Sequence, residues 1–329
     1  MSTPAADWRP SATRERLRAR AALLARARAF FAARGVLEVD TPLVVNAPVS
    51  DLHIHSARVQ LAGALEDAPG GLFLHTSPEY AMKRLLASGS GDIYQICHVV
   101  RGLECGRLHN PEFVLMEWYR LGFSLESLIQ EVEELVRELM GEACAGRTSQ
   151  KLSYRDAFRR ELKLDPFSAS DAALAAAAQP LGPSAAAAGA DRDAVLELLM
   201  GALVGPRLGH QALTFVHGYP ASQAALARLD PDDARTAQRF ELYCDGIELA
   251  NGFSELSDAN EQRARFMREN LARGQRGLPV AAPDERLLAA LQAGLPECAG
   301  VALGFERVLM LATGARHIEE VLAFPTARA

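Results

Sequence analysis

Over residues 113–119, FVLMEWY, the side chains alternate with the period of two that marks a β-strand, so Val114, Met116 and Trp118 share one face. Phe113, Leu115, Glu117 and Tyr119 share the other. The first face reads as core. The second sets the Glu117 carboxylate in an apolar run, where an unpaired charge is costly, so a cation is expected to meet it. The run IYQICHVVR before it, rich in β-branched residues and ending at Arg101, predicts a second strand. The polar loop over 103–110 joins the two as an antiparallel hairpin.

Upstream, RERLRARAALLARARAFFAARG predicts an amphipathic helix over about 11–33, with Leu17, Leu24 and Phe31 inward and Gly35 as its stop signal. GVLEVDTPLVV reads as extended through Pro42, and FLHTSPEY as a strand turning into a helix over 79–87. Helical periodicity returns over 125–140, and 214–219 predicts a short strand. In RFELYCDGIELANGF, Asp245-Gly246 is a hairpin turn signal. GVALGFERVLMLATG reads as a glycine-rich strand leading into a helix whose face carries Val308, Leu311 and Ala312. Antiparallel strands interspersed with helices predict an α+β fold. The low-complexity stretch over 169–191 predicts a peripheral Ala-rich insertion in a single domain spanning 1–329.

Composition narrows the function. The chain has 329 residues, 49% hydrophobic and 23% charged, as expected of a globular protein with a sizeable core. A formal net charge of -6 argues against gripping a long nucleic-acid backbone. Cys97, Cys105, Cys144, Cys244 and Cys298 form no CxxC pair, so neither a zinc site nor a disulfide frame is expected, and a reduced, cytoplasmic protein is. No apolar run reaches the roughly 18 residues of a membrane span. The arginines of the first helix read as a solvated face, with an anionic partner as the other reading.

Two constellations suggest chemistry. If Asp245 and Gly246 form the turn, Glu241 and Glu248 become diagonal neighbours on one face, and two such carboxylates suit Mg²⁺ shared with phosphates. Asn251 and Glu255 follow in the same hairpin. Arg101 ends an apolar strand and Arg307 opens a helix, positions where a guanidinium can hold phosphate oxygens or stack on a ring. Gly300 and Gly304 permit close approach of a ligand.

Together these stretches resemble a family. RGLECGRLHNPEFVLMEWYR and GVALGFERVLMLATG resemble motifs 2 and 3 of the class II aminoacyl-tRNA synthetases of the lysine type. RGVLEVDTPLV, with Pro42, resembles motif 1, and TSPEYAMKRLL and ELANGFSEL resemble the amino-acid pocket. Motif 1 begins at Arg34, which leaves no room for an N-terminal anticodon-binding OB-fold, so the chain is most similar to the short paralogues that transfer lysine to elongation factor P. The resemblance implies ATP and Mg²⁺ as cofactors, lysine or β-lysine as substrate, elongation factor P as acceptor, a homodimer, and no tRNA or membrane partner. A truncated synthetase charging tRNA, or a non-catalytic regulator, are the alternatives.

It also implies roles. Arg101 and Arg307 would be catalytic, Arg101 on the α-phosphate and substrate carboxylate. Adenine would lie between Phe113 and Arg307, with His109, Asn110, Glu248, Leu249 and Gly304 lining the nucleotide. The usual Arg-x-Glu of motif 2 is displaced here, so either Glu104 or the backbone of Gly102 and Leu103 reads the adenine amino group. Glu241 and Glu248 would carry Mg²⁺. Glu117, Tyr119 and Glu255 would hold the substrate ε-ammonium, while Ser77, Glu79 and Asn251 contact its other end. Ala302 stands where lysyl-tRNA synthetases commonly have glycine, and would reshape the pocket for (R)-β-lysine.

Overall fold

The structure is a computed structural model and describes residues 8–52, 54–61, 71–280 and 282–329. An eight-stranded sheet runs in the order β1 (Leu37–Glu38), β5 (Ile93–Val100), β6 (Glu112–Leu121), β11 (Cys298–Gly304), β10 (Ile247–Ser254), β9 (Thr236–Cys244), β8 (Ala212–Pro220) and β7 (Thr148–Ser153). Only the edge strands pair in parallel, β1 with β5 and β7 with β8. A smaller sheet has the order β2 (Val44–Val45), β4 (Leu72–Leu74), β3 (Arg58–Val59).

One face of the large sheet is apolar and packs against α1 (Arg14–Ala32), α3 (Leu125–Met140) and α10 (Phe305–Thr313). Val114, Met116 and Trp118 are buried there with Phe31, Val132 and Val308, as the alternation in β6 requires. The buried stripe of α1 is Leu23, Ala27, Phe30 and Phe31, rotated from the expected one, so Leu17 and Leu24 are only half-buried. In α10 Phe305, Val308, Leu309 and Met310 are fully buried, with Leu311 and Ala312 at the margin of the core. Several α1 arginines are tied to acids of the chain itself: Arg16 to Glu320 at 2.7 Å, Arg20 to Glu306 at 2.8 Å and Arg28 to Glu38 at 3.0 Å.

The Ala-rich stretch is helical. It contributes α5 (Asp171–Ala178) and α6 (Pro183–Ala188), between α4 (Tyr154–Leu162) and α7 (Arg192–Leu199). Leu174 and Ala178 join Tyr154, Phe158 and Val195 in a second core, which reaches the sheet through Val216, Tyr219 and Tyr243. A third core of Met82, Leu86, Phe266 and Leu288 binds α2 (Glu79–Ala87), α8 (Ala259–Gln275) and α9 (Glu285–Gly294) together at the side of the polar sheet face.

The turn between β9 and β10 forms as its sequence requires. Asp245 and Gly246 have φ of 50° and 72°, the left-handed pair of a two-residue hairpin, and Tyr243 pairs with Glu248. Beyond Glu248 the ladder slips by one residue, so Asn251 lies opposite Glu241. Strand alternation alone would put Glu248 and Asn251 on opposite faces; the bulge at Leu249 returns both to the same one.

Candidate active site

Register assembles the polar floor. Tyr119, Glu117 and Leu115 of β6 lie opposite Gly300, Ala302 and Gly304 of β11, and Asn251 of β10 lies opposite Ala302 on the other side. The small residues of β11 therefore form a groove between flanking polar side chains. Two cavities open along it, and Arg101, Asn251 and Ala302 line both. The groove is thus one trench with two chemically different ends meeting at a guanidinium.

The first end holds Phe113, His109, Glu104, Glu248 and Arg307. Arg307 is fixed in place by Nη1 donating to the Glu248 carbonyl at 2.8 Å and Nη2 contacting His109 Nε2 at 2.7 Å. Burial and the Arg307 charge lower the His109 pKa, so the ring is neutral and its Nε2 accepts. Arg101 Nε donates to the Thr76 carbonyl at 3.2 Å, and its guanidinium lies 5.2 Å from the Phe113 ring centroid.

In the motif 2 loop, Gly102 N donates to the His55 carbonyl at 2.8 Å, and Leu103, with φ of 67°, is 81% exposed. Neither lines the trench. Glu104 does, 3.8 Å from Arg101, so of the two expected readers of a base the carboxylate is the one that faces the cavity. Asn110 lines the cavity too, but its amide group is engaged with the Glu112 carbonyl and with Thr326. Leu249 and Gly304 border the same cavity.

Glu241 and Glu248 share a face as diagonal neighbours across the hairpin, and burial together with the Glu241 charge raises the Glu248 pKa. Glu241 itself accepts from Arg239 Nη2 and from the Tyr243 hydroxyl, each at 2.6 Å. Among the described residues no cluster of three or more His, Cys, Asp or Glu could enclose a metal ion. The pair therefore fits only a hard cation that takes most of its ligands from water and phosphate, which is the habit of Mg²⁺.

At the second end, Ser77 Oγ donates to Glu117 Oε2 at 2.6 Å and the Tyr119 hydroxyl to Glu117 Oε1 at 2.7 Å. Glu117 is only 2% exposed; burial and the nearby Glu79 push its carboxyl up to about 7. The cation within reach of these acids belongs to the chain. Lys83 Nζ lies 2.7 Å from Glu79 Oε1 and 2.6 Å from Glu255 Oε2, so Glu255, expected to hold the substrate ammonium, already has one oxygen paired within the chain.

The family described as tRNA synthetases class II (D, K and N) matches residues 1–328. The chain belongs to the class II tRNA synthetase family. Among similar proteins are three named elongation factor P–(R)-β-lysine ligase. Those of Klebsiella pneumoniae and Proteus mirabilis are each 48% identical over 98% of this chain and 99% of their own. That of Erwinia tasmaniensis is 48% identical over 98% of both chains.

Two polar residues of this synthetase-family site escaped the sequence reading. Lys83 carries no motif of its own, but it stands four residues after Glu79 and is buried with the apolar Met82 and Leu86 on the inner side of α2. Arg239 bridges the two halves: Nε donates to Asn251 Oδ1 at 3.1 Å, beside its bond to Glu241. Its signal was period two, since Arg239, Glu241 and Tyr243 alternate on one face of β9.

Proposed function

We propose that the chain activates (R)-β-lysine, in preference to α-lysine, as an adenylate at the expense of ATP and transfers it to a lysine side chain of elongation factor P. The observation that carries this reading is the trench itself, with arginines and an aromatic ring at one end, buried carboxylates at the other, and Arg101 where they meet. The names of the similar proteins agree with it. An oxygen of the substrate carboxylate attacks the α-phosphorus and the bond to the β-phosphate oxygen breaks, releasing pyrophosphate. The acceptor amine then attacks the acyl carbon, AMP leaves, and the amine loses a proton.

Such displacements need positioning and charge neutralisation more than a nucleophilic side chain. Arg101 would neutralise charge shared between phosphate and carboxylate, and Arg307 with Phe113 would hold the base. Glu241 and Glu248 would hold Mg²⁺, which neutralises phosphate charge when bound. Glu117 with Tyr119, and the second oxygen of Glu255, face the side-chain ammonium; a neutral side chain would leave those carboxylates unpaired.

The whole chain would act as one catalytic domain, since the sheet runs unbroken from β1 to β7 and the Ala-rich helices pack onto it. It would work in the cytoplasm, where its five cysteines stay free, and as a homodimer through the motif 1 region, where Leu37 and Leu43 are exposed. No helix among the described residues is long and apolar enough to cross a membrane.

The test is ATP–pyrophosphate exchange with each lysine isomer, followed by intact-mass analysis of elongation factor P and a parallel tRNA-charging assay. A gain of one lysyl group on elongation factor P, greater with (R)-β-lysine and absent on tRNA, is expected. Charging of tRNA would replace this reading with that of a short synthetase, and absence of exchange with either isomer would remove the activity altogether.

A further inference from the structure

The buried ion pairs at the second end of the trench form a chain. Lys83 stands one helical turn after Glu79 and is 1% exposed, held by Met82 and Leu86 on either side, which are packed in the core shared with α9. Its ammonium touches Glu79 from its own helix and Glu255 from the segment just beyond β10. Glu255 is anchored independently: its backbone N–H donates to the Cys298 carbonyl at 3.0 Å. Its remaining oxygen, Oε1, is buried without a hydrogen-bond partner among the described residues. That oxygen points to the trench floor, since a Cβ placed on Gly300 would lie 2.4 Å from it and from the Tyr119 ring.

One ammonium thus links two carboxylates that each have a second oxygen, Glu79 on the lining of the substrate cavity and Glu255 against Gly300, which lines the same cavity. Burial works against the Lys83 charge, but the two carboxylates outweigh it and hold the pKa above the usual lysine value. The ammonium is therefore permanent, and it keeps Glu79 and Glu255 from repelling one another apart. We propose that Lys83 is a positioning residue whose ammonium fixes the separation of Glu79 and Glu255, and that this separation selects the distance between the two amino groups of the bound diamino acid. The proposal rests on the reading above that these carboxylates receive the substrate's amino groups.

The chemistry gives the separation meaning. In β-lysine the amino groups stand one carbon closer together than in α-lysine, with the carboxylate-to-terminal-amine length unchanged. Ornithine shares the shorter span between amines. A strut that holds two carboxylates close favours the shorter span, and a longer strut favours the longer one.

The experiment is amino-acid-dependent ATP–pyrophosphate exchange of the wild-type protein, Lys83→Arg, Lys83→Gln and Lys83→Met with (R)-β-lysine, ornithine and α-lysine, with KM for ATP as the report of a folded site. The guanidinium of Lys83→Arg lengthens the strut and should shift the ratio of kcat/KM toward α-lysine by about tenfold, almost wholly through KM. Lys83→Met, which leaves the carboxylates to repel, should raise KM for all three diamino acids while KM for ATP stays unchanged. Lys83→Gln, neutral but still a donor to both carboxylates, should recover part of that loss, and it takes the place of Lys83→Met should the latter not fold. Unchanged ratios among the three amino acids in variants that bind ATP normally would overturn the proposal and leave Lys83 a purely structural ion pair. Glu117→Gln, measured alongside, separates the two readings: if it leaves KM for the diamino acids unaltered, the pocket assignment itself has failed, whatever Lys83 does.

Discussion

Tyr119 donates its hydroxyl proton to Glu117 Oε1 at 2.7 Å, so the buried carboxylate is met by neutral donors and not by a cation of the protein. Burial and Glu79 push it up to about 7. A raised carboxyl pKa means that the free site holds a proton below that pH, whereas a bound ammonium needs the ionised form. Binding must then expel the proton, so KM for the diamino acid should fall as pH rises, by up to about tenfold per unit on the acid side, and level off above roughly 8. KM for ATP should not share the trend. A KM for the amino acid that is flat between about pH 6 and 8 would refute the protonated site.

Gly300 offers a sharper steric test. It lies opposite Tyr119, and a methyl there would stand 2.4 Å from both the Tyr119 ring and Glu255 Oε1. Neither can retreat easily, because both are buried. Gly300→Ala should abolish exchange with either lysine isomer while leaving the equilibrium Kd for ATP within about twofold, since Arg307, His109 and Phe113 lie at the other end of the trench. Equal damage to both substrates would show that the two ends are not separable.

Arg239 tests how the halves are joined. Its guanidinium reaches Glu241, Asn251 and the Gln223 carbonyl, and it lies 4.5 Å from the Tyr219 ring centroid. Arg239→Met would leave the Glu241 charge in a poorly solvated site with only Tyr243 as donor. A loss of about 3–5 kcal/mol in denaturant unfolding is expected, as for other broken buried pairs. Arg239→Lys, which keeps the charge but not the fork, should fall between. A loss below about 1 kcal/mol would mean that Glu241 relaxes toward solvent.

What was legible in the sequence follows from which forces act locally. The β6 alternation, the α2 and α3 helices and the Asp245-Gly246 turn are set by periodicity and φ preference, which neighbouring residues alone determine. Arg101, Phe113 and Arg307, which the motif resemblances mark, and Glu248, which the hairpin register marks, share one cavity. The bulge at Leu249 was not readable, because it is decided by how β10 is held between β9 and β11. Lys83 was missed for a related reason: its partner Glu255 is far along the chain, and no local pattern links them.

Ala302 is the position where isomer choice should be most directly tested. It lies opposite Glu117 on one side and Asn251 on the other, and it lines both ends of the trench beside Arg101. On the proposed reading the substrate carboxylate would meet the α-phosphorus there, which would set the Ala302 methyl near the carbon next to that carboxylate. In α-lysine this carbon bears the ammonium; in β-lysine it is a plain methylene. A methyl at the floor therefore crowds the first isomer and tolerates the second. Ala302→Gly should raise kcat/KM for α-lysine and shift its ratio to that for (R)-β-lysine by about tenfold, the scale set by one methyl group in a packed pocket. KM for ATP should not change. Exchange assays with both isomers decide the matter, and an unaltered ratio would move the origin of the preference away from the floor and toward the carboxylates held by Lys83.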